Sequence, residues 1–177
     1  MRLLACGALA ALVFAAPARA MPADCSSAAI PATPVKGTVK GKAFVPTDIH
    51  VTFTKNGMGV NGVQFDRYAL AFDAGDIFNE LSVDMLVPAG KPIDGRAYRQ
   101  VPGDIGTQPM AAEGTPEVQG WDLQFEAAGV NTNFGLDEGT LRVEWGRRSG
   151  DSLPGKIHFC APGVDAEIMG TFTATVR

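Results

Sequence analysis

Histidine is almost missing from this chain: only His50 and His158 occur in 177 residues. Proton transfer in enzymes draws on histidine more than on any other side chain, so the shortage narrows the catalytic options at once. Both histidines fall at outward positions of predicted strands, where a solvated imidazole is the default. They could meet across neighbouring strands with a carboxylate, but nothing in the spacing brings them together. No H-E-x-x-H, C-x-x-C or calcium-loop pattern accompanies them, so the sequence predicts no metal site and no cofactor. G-x-S-x-G and S-x-x-K are also missing, and Ser26, Ser27, Ser149 and Ser152 stand in tail or turn contexts.

Positive charge is short as well, with 15 Lys and Arg against 19 Asp and Glu. Nucleic-acid binding needs clustered basic side chains to displace phosphate counterions, and this balance disfavours DNA and RNA as partners. No apolar run reaches the roughly 20 residues of a membrane-spanning helix. The longest is at the N-terminus, where Arg2, an apolar stretch from Leu3 to Ala16, Pro17 and the small residues Ala18 and Ala20 follow one another. That is the three-part pattern of a secretory leader cleaved after Ala20. Cleavage would remove two basic residues, Arg2 and Arg19, and so take the formal net charge from −4 to −6.

Cysteine is scarce but informative. With Cys6 lost in the leader, Cys25 and Cys160 remain, and an oxidising compartment gives one pair one connectivity. The expected disulfide ties a tail, residues 21–34, to a closing β-hairpin. Lys156 to Ala161 and Glu167 to Val176 supply the two strands of that hairpin. In its first strand Ile157, Phe159 and Ala161 alternate with Lys156, His158 and Cys160, which puts Cys160 on the polar face, away from the core.

Helical periodicity is the remaining deficit; alternation of period two takes its place. Strands are predicted at Val35 to Phe44, with outward lysines suited to an edge, and at Ile49 to Phe53, with a turn at Asn56-Gly57. Val60 to Phe65, Tyr68 to Phe72, Leu81 to Val87, Arg96 to Val101, Trp121 to Glu126, Val130 to Phe134 and Thr140 to Trp145 follow. Roughly ten short strands with a turn signal about every ten residues predict an all-β fold, residues 35–177, as one antiparallel β-sandwich of Ig-like or jelly-roll type. A small up-and-down β-barrel is the alternative. The closing Pro-Gly-Lys, the cysteine strand and the last Gly-Thr-Phe strand resemble in general style small exported bacterial β-sandwich proteins, a resemblance that implies no activity.

Gly57-Met-Gly-Val-Asn-Gly62 matches G-x-G-x-x-G, yet the residues after it are β-like, and a dinucleotide site needs a helix there. The glycines read instead as bulge and hairpin positions. Glu126 and Glu144 are outward carboxylates on separate strands, as a glycosidase pair would be. By alternation Trp121, Trp145 and Tyr68 face inward and Tyr98, in register with Arg96 and Gln100, faces outward.

Pro102 to Pro116 is longer than most connections within a domain and carries Asp104 and Glu113, so it is the predicted interaction loop. With Asp94, Arg96, Tyr98 and Arg99 it forms the expected binding surface. The function expected is non-catalytic binding by an exported protein, to an unknown protein, glycan or small apolar ligand of the envelope or the exterior. A lipocalin-like carrier and a carbohydrate-binding or glycan-active protein are the alternatives.

Overall fold

The computed structural model describes Cys25 and residues 29–60, 63–75, 78–100, 117–132 and 139–177. The leader and the Pro102 to Pro116 loop, with Asp104 and Glu113, lie outside the described residues. Among the described residues eleven strands run in chain order: β1 (Lys36–Val39), β2 (Lys42–Phe44), β3 (Asp48–Val60), β4 (Val63–Asp73), β5 (Asn79–Pro88), β6 (Ala97–Gln100), β7 (Glu117–Phe125), β8 (Val130–Thr132), β9 (Thr140–Trp145), β10 (Ser152–Ala161) and β11 (Ala166–Val176). Two short 3-10 turns, Glu126–Ala128 and Pro162–Val164, complete the regular structure, and no helix among the described residues is long and apolar enough to cross a membrane.

The chain is thus nearly all β, as its alternation predicts, but its layering differs from the expected sandwich. All eleven strands belong to one sheet, ordered β6-β9-β10-β11-β3-β4-β5-β7-β8, with β1 attached to β11 and β2 to β1. The sheet curls into an open half-barrel, which brings β6 back toward β7. The reason lies in strand length. Asn56-Gly57 does not end a strand; it is absorbed into a bulge between Thr54 and Met58 within β3. The segments read as Val60 to Phe65 and Tyr68 to Phe72 are one strand, β4. Long strands accumulate twist, and a bulge adds to it, so a wide sheet coils on itself and buries its own concave face. Conversely, Val35 to Phe44 is not one strand but a tight hairpin, β1 and β2, turning at Lys40-Gly41.

The concave face holds the core. Val51 of β3, Leu70 and Phe72 of β4, Leu81 and Val83 of β5, Leu141 and Val143 of β9, and Ile157 and Phe159 of β10 are all within 1% of complete burial. Each recurs at every second residue of its strand, which is the pleat put to use. Among the described strands pairing is antiparallel except where β11 meets β3 in parallel at Thr175↔His50 and Val176↔Val51; an isolated parallel bridge, Pro34↔Thr171, lies further along β11.

The closing hairpin forms as expected, β10 against β11 along their full length. Its outer face is the correction. Cys160 and His158 do share parity with Lys156, but Cys160 is fully buried and His158 is 4% exposed. Cys25 forms the disulfide with Cys160 across 135 residues of sequence, and its carbonyl oxygen accepts a hydrogen bond from Thr140 Oγ1. The alternation was right, but the outer face is buried at His158 and Cys160 while it stays exposed at Lys156.

Candidate binding site

Of the expected surface, Asp94, Arg96 and Tyr98 have described side chains. Asp94 sits in the turn before β6, and its carboxylate accepts the backbone N–H of Arg148 at 3.0 Å. Arg96 is half-buried, and its carbonyl accepts Trp145 N–H at 2.8 Å, which starts the β6–β9 ladder. Tyr98 does not face outward. It pairs with Val143, whose side chain is in the core, and is 2% exposed with its hydroxyl unpartnered. Burial pushes the Tyr98 phenol far above its ordinary pKa. The alternation failed because its polar neighbours mark no outward face: Arg96 stands just outside β6, its N–H bonded to Ile93 oxygen, and Gln100, like Tyr98, lies opposite a core residue, Leu141. Arg99 lies opposite Arg142 in the β6–β9 register; its side chain is outside the described residues, as is that of Trp121. Glu126 begins the 3-10 turn after β7 rather than ending a strand, while Glu144 on β9 is held by Arg142 and by Lys156. No contact among the described residues joins the two glutamates. Gly57 to Val60 belong to β3 and Val63 opens β4, so a strand stands where a dinucleotide site requires a helix; Asn61 and Gly62 lie outside the described residues.

What the fold does assemble is a groove of about 780 Å³ beside the β11–β3 seam. Past their two paired positions the strands diverge, and Thr33 to Val35 crosses the gap. Val35 N–H donates to Thr171 oxygen at 2.9 Å and Thr171 N–H to Thr33 oxygen at 2.8 Å. That crossing depends on Gly170, whose φ is +140° and where a Cβ would lie 2.6 Å from Val35 Cα. Phe172 and Trp145 lie against the groove, though they are only 6% and 4% exposed. The Phe172 ring meets Phe72 and Trp145 edge to face, at centroid distances of 5.1 and 5.4 Å. It lies over Gly155, where a Cβ would come within 2.5 Å of its tip. Pro34 and Val35 line one side and Pro46 and Ile49 another, with Glu144 and Lys156 supplying opposite charges 4.0 Å apart. The Trp145 indole N–H has no hydrogen-bond partner.

Chemically the groove offers an apolar, partly aromatic lining with one carboxylate and one ammonium. Its volume lies within the roughly 300 to 1,000 Å³ of small-molecule sites. A smaller hollow of about 380 Å³ lies between Phe78 and the β7–β8 turn, lined by Gln124, Glu126, Val130 and Asn131. Phe78 is 54% exposed. The sequence had no means of indicating the main groove, because Trp145 and Phe172 read simply as core residues. The one local hint is Pro154-Gly155 inside a strand, since glycine in a strand marks a close approach.

Comparison with protein-family models, with curated proteins and with solved structures gives no match for this chain.

Proposed function

We propose that this is an exported, non-catalytic binding protein that holds a small ligand with an apolar body and a polar end in the groove bordered by β9, β10 and β11 on one side and by Pro34, Val35, Pro46 and Ile49 on the other. The observation that carries the reading is the groove itself: sized for a small molecule, floored by Phe172 and Trp145, and charged only at Glu144 and Lys156. Export is supported by the leader pattern at residues 1–20 and by the Cys25–Cys160 disulfide, since such bonds persist in oxidising compartments. The concave interior is filled by core side chains, Trp145 and Phe172 among them, so the ligand would rest against the border of the core rather than inside an empty barrel as in a lipocalin.

The test uses the oxidised protein and an anilinonaphthalene sulfonate probe, whose apolar rings and single anion match the groove. Fluorescence enhancement at one site is expected. It should be lost in Thr173→Trp, which fills the groove from an exposed position, and kept in Phe78→Ala, which alters the smaller hollow. Equal probe binding by the parent and Thr173→Trp would sink the assignment, and native mass spectrometry of protein from its source would then be searched for a ligand held elsewhere.

A further inference from the structure

On the convex side of the same seam, the β3–β4 register brings together side chains that the sequence keeps far apart. Asp48 pairs with Asp73 at the start of β3, and His50 lies two residues along the same face. His50 Nδ1 is 3.1 Å from Asp48 Oδ2 and 3.4 Å from Asp73 Oδ2, and the three donor atoms all fall within 4.8 Å of one another. We propose that Asp48, His50 and Asp73 bind one divalent cation of the zinc class, with His50 Nδ1 and one oxygen of each aspartate as ligands and water completing the shell.

Two features favour a metal over a simple ion pair. One is the spacing: His50 Nδ1 hydrogen-bonds Asp48 Oδ2 at 3.1 Å, a contact that a bound cation would replace. Ligands of a tetrahedral zinc, each about 2.0 to 2.1 Å from the ion, stand about 3.3 Å from one another, which matches both distances. The composition of the donor set points the same way. One imidazole with two carboxylates suits zinc and its first-row neighbours, whereas calcium and magnesium take oxygen donors alone. Access is open, because the side chains of His50, Asp73 and Asp48 are 20%, 32% and 44% exposed.

Two further charges bear on the site. Glu80 stands opposite Asp73 on β5 and its side chain hydrogen-bonds that of Asp73, outside the three donors. Arg177 Nη2 lies 3.0 Å from Asp48 Oδ2 and competes with a cation for that oxygen. His158 takes no part: it pairs with Met169 while His50 pairs with Thr175, which sets them about 20 Å apart along β11 at the usual rise per residue.

Calorimetric titration of the oxidised full chain with Zn²⁺ alone tests the assignment. One ion per chain is expected, with Ca²⁺ at the same concentration giving no saturable heat. His50→Ala and Asp73→Asn should each weaken zinc at least tenfold with unchanged far-ultraviolet circular dichroism, and Arg177→Ala should tighten it. Cobalt(II) should give a d–d absorption band that disappears in His50→Ala. Absence of saturable zinc binding, or equal affinity in His50→Ala, would overturn the site.

Discussion

Asp66 is a buried carboxylate with a definable task, and removing it should loosen two turns at once. It lies on β4 at the parity of Tyr68, Leu70 and Phe72 and is 4% exposed. Its Oδ1 accepts the Asn56 N–H and its Oδ2 the Gly90 N–H, each at 2.9 Å. Asn56 belongs to the β3 bulge, and Gly90 to the turn that leaves β5, so one side chain clamps the strands on either side of β4. Hydrogen bonds to a charged group contribute about 1.5 to 3 kcal/mol each, and an amide left unpaired in a buried site adds its desolvation cost. Both amides are only part-buried and can regain some water, so Asp66→Ala should cost about 3 kcal/mol, near the lower end of the two-bond sum. Asp66→Asn keeps one acceptor oxygen and turns an NH₂ toward the other amide; it should cost about 2 kcal/mol. For a chain of this size the alanine change corresponds to a fall in Tm of roughly 6 to 12 °C. Urea unfolding gives the totals, and amide exchange at Asn56 and Gly90 gives the local effect. Loss below about 0.5 kcal/mol in Asp66→Ala, or unchanged exchange at both amides, would refute the clamp.

Two more perturbations address the buried layers. Cys25→Ser with Cys160→Ser opens a loop of 135 residues and on the chain-entropy scale should cost up to about 5 kcal/mol; melting with and without reductant measures it, and an unchanged Tm would show that the bridge adds nothing. Tyr98→Phe removes a buried hydroxyl that has no partner, so stability should hold or rise by up to about 1 kcal/mol, whereas a loss greater than that in urea unfolding would reveal a hydrogen bond at the phenol.

The elements most legible in the sequence are those whose pattern and turns agree. β9 matches its predicted bounds, β5 extends only slightly beyond its prediction, and the hairpin of β10 and β11 closes on the Pro162–Val164 turn as read. Each has an unbroken apolar face, so a register slip would expose every large side chain on it. Legibility fails where a local signal has two physical outcomes. Asn-Gly serves a hairpin turn and a bulge equally well, since both need a residue at positive φ, and Asn56 adopts φ 50° inside a continuous strand. His158 and Cys160 illustrate a different limit. Their parity is correct, but parity reports the side of a sheet and not what lies upon it, and only the disulfide brings Cys25 over that side. Tyr98 shows a third: in a strand as short as β6, polar residues at the same parity do not define an outward face, since Gln100 lies opposite the buried Leu141 just as Tyr98 lies opposite Val143. The candidate sites were the least legible, because each requires a pairing between distant strands. Asp48 and His50 are visible as neighbours on one face, but Asp73 joins them only through the register of β3 with β4.

That both sites flank the same seam has a physical basis. A parallel pair is somewhat weaker per residue than an antiparallel one, and β11 and β3 pair at just two positions. The seam is therefore held mainly from its ends. Arg177 N–H donates to Val51 oxygen at 2.8 Å and Phe53 N–H to Arg177 oxygen at 3.1 Å, while Thr33 to Val35 braces β11 further along. A ligand that entered between any antiparallel pair in this sheet would break a ladder of bonds contributing about 0.5 to 1.5 kcal/mol each. Between β11 and β3 the ladder is already interrupted and Phe172 and Ile49 already border the gap, so the cost of admitting a ligand is lowest there. A cation on Asp48, His50 and Asp73 would cross-link β3 to β4 and leave β11 unbound by metal, stiffening one wall of the groove while the other kept its freedom to move.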